Sequence, residues 1–281
     1  MPKKHYPVQR RMNVDQAGGP AANIMRVDTA KLLSQINHRL YRQSRTYECS
    51  VSIDANLADG TTVDVYALAD TWYLKGALKL AKTAWDMSNA EEIAMNQGKV
   101  ARWSDFRIRF EANGSADARV AQYAWQTLAE SPFLAGEFTE SLVVDQSGTS
   151  RVFTIGVAGG TEYNIFEEYD NQSGTNTDPT VPATGAYTGL LPNLETAAAA
   201  AISDAGNNPP YNASGYGSAV WVKVGTLHLA PGRQRLSTGF FTAPVGAILL
   251  SGVGALGDTA DIVVEVKAGD YKGVKSHSML E

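Results

Sequence analysis

Between residues 219 and 274 the sequence is a succession of short apolar stretches with a period of two, separated by turns that carry proline and glycine. Val220, Val222 and Val224 alternate with Trp221 and Lys223, and Leu227 and Leu229 carry the apolar pattern onward. Ala230-Pro-Gly-Arg233 reads as a turn, 236–243 as the next strand, Pro244-Val-Gly246 as a break and 247–250 as another strand. After a glycine-rich bend, Ile262, Val264 and Val266 alternate with Asp261, Glu265 and Lys267. A period of two places one face of each strand against a core and the other toward solvent or a neighbour. Several short strands joined by tight turns predict a sandwich or barrel of antiparallel strands. The remaining sequence reads as additions to it.

At 281 residues the chain can bury the core of one elaborated domain or of two compact ones. Its one cysteine, Cys49, excludes an intrachain disulfide framework and falls on the apolar side of a strand, where a small core residue is expected. No run of about 18 apolar residues predicts a membrane-spanning helix, and the first 25 residues lack the apolar segment of a secretion signal. A reducing cytoplasm is therefore the expected place of synthesis. The net charge of -5 conceals an asymmetry. Nine Lys/Arg and two acids lie in residues 1–45, about +7, whereas 46–281 carries 15 basic and 27 acidic residues, about -12. A basic leader on an acidic body points to something anionic: nucleic acid, a lipid headgroup or an acidic face of a neighbour. A solvated tail is the alternative.

Residues 1–25 have no apolar period and contain Gly18-Gly19-Pro20, so an extended basic arm is expected, followed by an amphipathic helix within 26–45. Asp28 or Thr29 can cap that helix, with Leu32 or Leu33, Ile36 and Leu40 on one face. Segment 47–57 is the clearest strand, Asp59-Gly60 predicts a hairpin, and 63–68 returns. Leu74, Leu78, Ala81 and Trp85 predict a helix over about 71–96. Phe106, Ile108 and Phe110 alternate as a strand, and Ser115 or Asp117 precedes a helical pattern through Leu128 that Pro132 stops. Strands are expected over 138–145, 151–157 and 161–169. Residues 170–218 turn to Asn, Gly, Ser, Thr, Pro and Ala, with a helix expected only over 193–202, so this stretch is a surface insertion or a linker.

Chemical signals are weak. Gly252-Val-Gly254-Ala-Leu-Gly257 matches a dinucleotide-binding pattern, but that mechanism needs a helix to begin there, and the following Asp258–Val266 stretch is β-branched and alternating. His5, His38, His228 and His277 have no metal-ligand spacing. Glu91-Glu92 reads as a solvated helix face, and Glu167-Glu168 with Asp170 lacks a calcium-loop pattern. The five tryptophans fit core or subunit contacts better than a sugar platform. No nucleophile elbow, Cys-x-x-Cys or P-loop occurs, so no catalytic residue, metal or cofactor is assigned and the chain is not read as an enzyme.

The leader Lys3-Lys4 to Arg10-Arg11, the amphipathic helix, the strand run and the polar insertion together resemble jelly-roll major capsid proteins of small icosahedral viruses and bacteriophages. The segment from Arg235 to Leu250, turning at Pro-x-Gly, looks like paired capsid strands. The resemblance implies a mainly β fold: an antiparallel jelly-roll β-sandwich over 46–281, with helical insertions and the basic arm 1–25. It also implies self-assembly into a virion shell built in the host cytoplasm, with copies of itself as partners. Lys3, Lys4, Arg10 and Arg11 would then contact packaged nucleic acid or an internal membrane. About eleven candidate strands favour a single jelly roll over a compact double one, which needs about sixteen. Two other classes compete: a trimeric receptor-binding β-protein of a virion or tail, and a polysaccharide-active enzyme with two carboxylates on a β-sandwich.

Overall fold

The computed structural model describes residues 7–15, 24–95, 103–110, 118–120, 122–123, 140–145, 147–155, 162–173, 220–256 and 260–280. Two of its strands precede the first helix: β1 (Arg11–Asp15) and β2 (Ile24–Asp28). The basic leader is therefore partly sheet and not an arm through residue 25, because Met12, Val14, Met25 and Val27 alternate into the core. Helix α1 (Thr29–Asn37) is shorter than the expected 26–45. Asp28 caps it by accepting from the Lys31 amide at 2.9 Å, and His38, at a left-handed φ of 49°, ends it.

Strand β3 (Arg45–Leu57) keeps the predicted alternation, with Tyr47, Cys49, Val51, Ile53 and Ala55 all buried. Burying each large apolar side chain of such a face contributes about 1.5–3 kcal/mol. Strand β4 (Thr61–Leu68) follows Asp59-Gly60, yet β3 and β4 belong to different sheets. The turn is an arch over the core, not a hairpin. A two-residue turn reverses the chain in either case; here Val63 and Val65 face β3 across the core instead of lying beside it.

After β4 come helix α2 (Trp72–Met95), β5 (Ala118–Val120), β6 (Gln122–Tyr123), β7 (Leu142–Val144), β8 (Ser150–Thr154), β9 (Glu162–Asn164) and helix α3 (Ile165–Ser173). The described part of the helix expected after Ser115 is thus strand. The strand expected over 161–169 becomes helix after Asn164, whose side chain accepts from the Phe166 amide at the new helix's start. Phe106, Ile108 and Phe110 are buried as predicted, but 106–110 joins no ladder beyond a single bridge from Arg109 to Thr154. The Gln43 side chain substitutes for a strand partner, accepting from the Ile108 amide at 2.6 Å and donating to the Ile108 carbonyl at 3.0 Å. Arg107, which alternates with these apolar residues, is completely buried and paired with Asp28 at 3.2 Å.

The chain then returns as β10 (Trp221–Leu229), β11 (Gly232–Ser237), β12 (Phe241–Ala243), β13 (Ala247–Ser251), β14 (Asp261–Val266), β15 (Ala268–Gly269), β16 (Gly273–Val274) and β17 (Ser276–Ser278). The single strand expected over 236–243 is broken between β11 and β12. Val222 and Val224 are exposed and not in the core, because β10 lies at a sheet edge and its register jumps between Lys223 and Gly225.

One sheet runs β11-β3-β14-β1-β6, with β12 and β17 also on β3; the other runs β10-β4-β13-β2-β5. Pairing is antiparallel except between β2 and β5, and the two sheets enclose one apolar core as a β-sandwich. A second core gathers α2, α3, the 106–110 segment and the three-stranded sheet β7-β8-β9, and meets the sandwich at Leu68, Val245, Ala247 and Met279. Ala69 donates to the Val220 carbonyl at 3.0 Å, so residues 70–219 begin and end at one rung of the sandwich, touching its sheets in between through the edge strands β5 on β2 and β6 on β1. The insertion is much larger than 170–218, most of which, with the helix expected over 193–202, lies outside the described residues.

Candidate polyanion-facing surface

The described leader residues are bound into one end of the sandwich. The Gln9 amide donates to Asn37 Oδ1, and Asn37 Nδ2 donates to the Gln9 carbonyl, both at 2.9 Å. Val8 lies against Gly273, and the Val266 amide donates to the Arg10 carbonyl at 2.9 Å. Arg11 is opposite Glu265 in the ladder and exposed. Arg10, just before β1, is half-buried. Lys3 and Lys4 lie outside the described residues.

At the same end the turn after α1 brings Arg39, Arg42 and Arg45 beside the hairpin of β15 and β16. That hairpin reverses through Lys272 and Gly273, with φ of 50° and 91°, closed by reciprocal bonds of 3.0 Å between Tyr271 and Val274. Both central residues lie at positive φ, as a type I′ turn requires, and lysine at the first of them is strained. Contacts on both sides hold it there: Tyr41 Oη donates to the Lys272 carbonyl at 2.9 Å, and Lys272 Nζ donates to the Leu40 carbonyl. The Arg45 guanidinium stacks 3.9 Å over Tyr271 and bonds Ser276 twice, at 3.0 and 2.9 Å. The Arg42 amide donates to Tyr271 Oη at 3.2 Å, leaving its guanidinium 62% exposed and 3.7 Å from Asp105.

The electrostatics are unbalanced toward positive charge. Partial burial, then the Arg42 charge, holds the Lys272 ammonium below its usual range; Asp105 opposes this, and Arg39 and Arg45 reinforce it. Asp105 is buried and its carboxyl is raised, against the pull of Arg42, Arg107 and Lys82, while its Oδ2 makes no hydrogen bond. Beneath the hairpin Glu48 bridges Lys267, at 2.9 Å, and Lys275, and these bonds hold its carboxyl low.

The arginines of this cluster lie within the basic leader's charge count, but its lysines come from residues more than 220 positions later. The local sign of them is the glycine of Tyr271-Lys-Gly273, a turn residue between short polar-rich stretches. Other sequence signals stay apart. Cys49 is a buried core residue whose thiol is pushed up to about 12 by burial. Trp85 is in the second core and Trp221 packs against it, whereas Trp72 is exposed against Tyr73 and Tyr169. Glu167 and Glu168 lie in the first turn of α3, where the helix dipole favours acids. Among the described residues no cluster of three His, Cys, Asp or Glu could hold a metal, and no helix is long and apolar enough to cross a membrane. Comparison of the chain with protein-family profiles, curated proteins and solved structures found no match.

Proposed function

We propose that this chain is a structural subunit, the major capsid protein of a small icosahedral virus or bacteriophage, whose sandwich is a single jelly roll. Copies of it close into a virion shell, and the end carrying the basic leader faces packaged nucleic acid. The observation that supports this reading is the strand order. Outside the short flanking strands, β11-β3-β14-β1 lies over β10-β4-β13-β2. From β1 to β4, and again through β10, β11, β13 and β14, each passage of the chain changes sheet; only β4 to β10 stays within one. Eight strands wound in this way make two interlocked Greek keys, the jelly-roll arrangement used by shell-forming proteins. The rigid sandwich leaves its arches and the 70–219 insertion free to vary as contact surfaces.

Arg10 and Arg11 stand at the threshold of the fold, at the basic end, and Lys3 and Lys4 precede them in the sequence. A polyanion held there through phosphates would be bound without regard to sequence and released by salt. The test is assembly. Purified chain examined by size-exclusion chromatography and negative-stain microscopy is expected to form closed shells. Discrete trimers or persistent monomers would overturn the reading. Truncation for such work should stop before Pro7, since removing 1–25 would take β1 out of the sheet.

A further inference from the structure

We infer that the turn of residues 38–45 and the hairpin of residues 267–275 form a binding site for the phosphodiester backbone of nucleic acid, with Arg39, Arg42, Arg45 and Lys272 contacting phosphates. The site goes beyond the shell reading and stands without it, because it belongs to the folded body and not to residues 1–6.

Four cations from two elements remote in sequence converge; Asp105, whose charge acts on Lys272, is buried, and Asp270 in the same hairpin is exposed. Two of the cations are fixed before any ligand arrives, Arg45 by its ring and its two bonds to Ser276, Lys272 by its turn and the Leu40 carbonyl. Side chains already ordered lose little entropy on engaging a phosphate. Arg42 is the mobile partner: largely exposed, it meets Asp105 only at 3.7 Å, longer than a charge-assisted hydrogen bond. Guanidinium groups match phosphate with two parallel donors, and each phosphate neutralised releases condensed counterions. The repulsion that lowers the Lys272 ammonium is what an incoming phosphate would relieve.

A lipid surface fits less well. Interfacial binding needs an apolar face beside the cations, and the exposed large apolar side chain here is the single ring of Phe240, against Lys267 at 5.8 Å. The π-face of Tyr271 is occupied by Arg45, so recognition falls to phosphates and not to stacked bases.

The test compares the full chain with an Arg42→Gln/Lys272→Gly double variant, using a fluorescein-labelled oligodeoxythymidine between about 50 and 200 mM salt. Glycine suits the left-handed position of Lys272, so the variant should keep its fold, checked by circular dichroism. Binding is expected to weaken, and the slope of log affinity against log salt to fall by about 0.7 for each cation lost. The same fall is expected in a chain lacking residues 1–6, which separates the site from the leader. On the unaltered chain, Lys272 should be acylated when free and protected in the oligonucleotide complex, read by mass spectrometry. A folded variant with unchanged affinity and slope, or equal Lys272 labelling in both states, would overturn the site. So would binding to anionic vesicles without binding to the oligonucleotide. Oligonucleotide affinity and Lys272 labelling are read whether or not the chain assembles, so a failure to form shells leaves them independent.

Discussion

Asp28 shows how much one side chain can coordinate. Its carboxylate caps α1 through the Lys31 amide, accepts from Gln43 at 3.2 Å and pairs with the fully buried Arg107 at 3.2 Å. A buried cation costs several kcal/mol unless such a partner is present, so the pair ties the insertion to the sandwich whether or not it adds net stability. Asp105 is the opposite case: buried, with one oxygen unbonded, and raised above the ordinary aspartate value of 3.8 chiefly by burial. A carboxyl whose folded pKa is raised holds its proton more tightly in the folded state. Its charge therefore costs stability above that raised pKa, and the cost disappears as the pH falls below 3.8. Asp105→Asn keeps the shape without the charge and is expected to raise the melting temperature at neutral pH. That advantage should vanish below the ordinary aspartate value, as differential scanning fluorimetry at the two pH values would show. A lowered melting temperature at neutral pH would mean that the Arg42 pairing outweighs the burial.

At the scale of elements, the glycine pattern after β13 has a structural explanation. Gly252 sits at φ 95°, and a Cβ there would lie 2.3 Å from the Thr62 carbonyl oxygen, so its bareness lets the chain pass against the start of β4. Val253–Leu256 then forms a short 3-10 turn and not the long helix a dinucleotide would need. Gly252→Ala should cost more than the about 1–2 kcal/mol of a left-handed L-residue, because β4 must also shift. Urea denaturation measures this, and a loss below that range would show that β4 yields to the added methyl without cost. The strands with strict alternation, β3 and β14, were legible in the sequence because both the period and the burial are local properties. The Asp28 cap and helix α2 were legible for the same reason. Partner choice was not. Asp59-Gly60 reverses the chain equally well in a hairpin or an arch, and only burial against β10 and β13 decides between them. Arg107 alternates with Phe106 and Ile108, and nothing nearby in sequence announces Asp28 or the Tyr41 carbonyl as its partners. The basic end was half legible: Arg39, Arg42 and Arg45 stood out in the charge count, while Lys272 reaches them through tertiary structure alone.

For the whole molecule, the placement of the two cores sets what the 70–219 insertion can be. Among the described residues, every buried residue of the sandwich core lies outside it, from Met12 through Val65 and from Leu227 through Val274. Its ends are joined across one rung, Ala69 to Val220, with Trp221 opposite Leu68 in the ladder. Replacing residues 70–219 by Asn-Gly would therefore turn β4 and β10 into an ordinary hairpin, since a two-residue turn suits adjacent antiparallel strands. The sandwich is expected to fold without the insertion, but less stably. Leu68, Val245, Ala247 and Met279 would lose their packing, Asp28 and Gln43 would lose Arg107 and Ile108, and β1 and β2 would lose their edge partners β6 and β5. Polar replacements at Leu68 and Ala247 should recover solubility without disturbing the main core. A cooperative melt at reduced temperature, with amide protection retained in β3, β4, β13 and β14, is the expected outcome. An excised chain that fails to fold even with those replacements would mean that the insertion is needed to complete the sandwich and is not an addition to it. The view of a self-contained sandwich, varied through its loops for contact with its own copies, would then lose its structural basis.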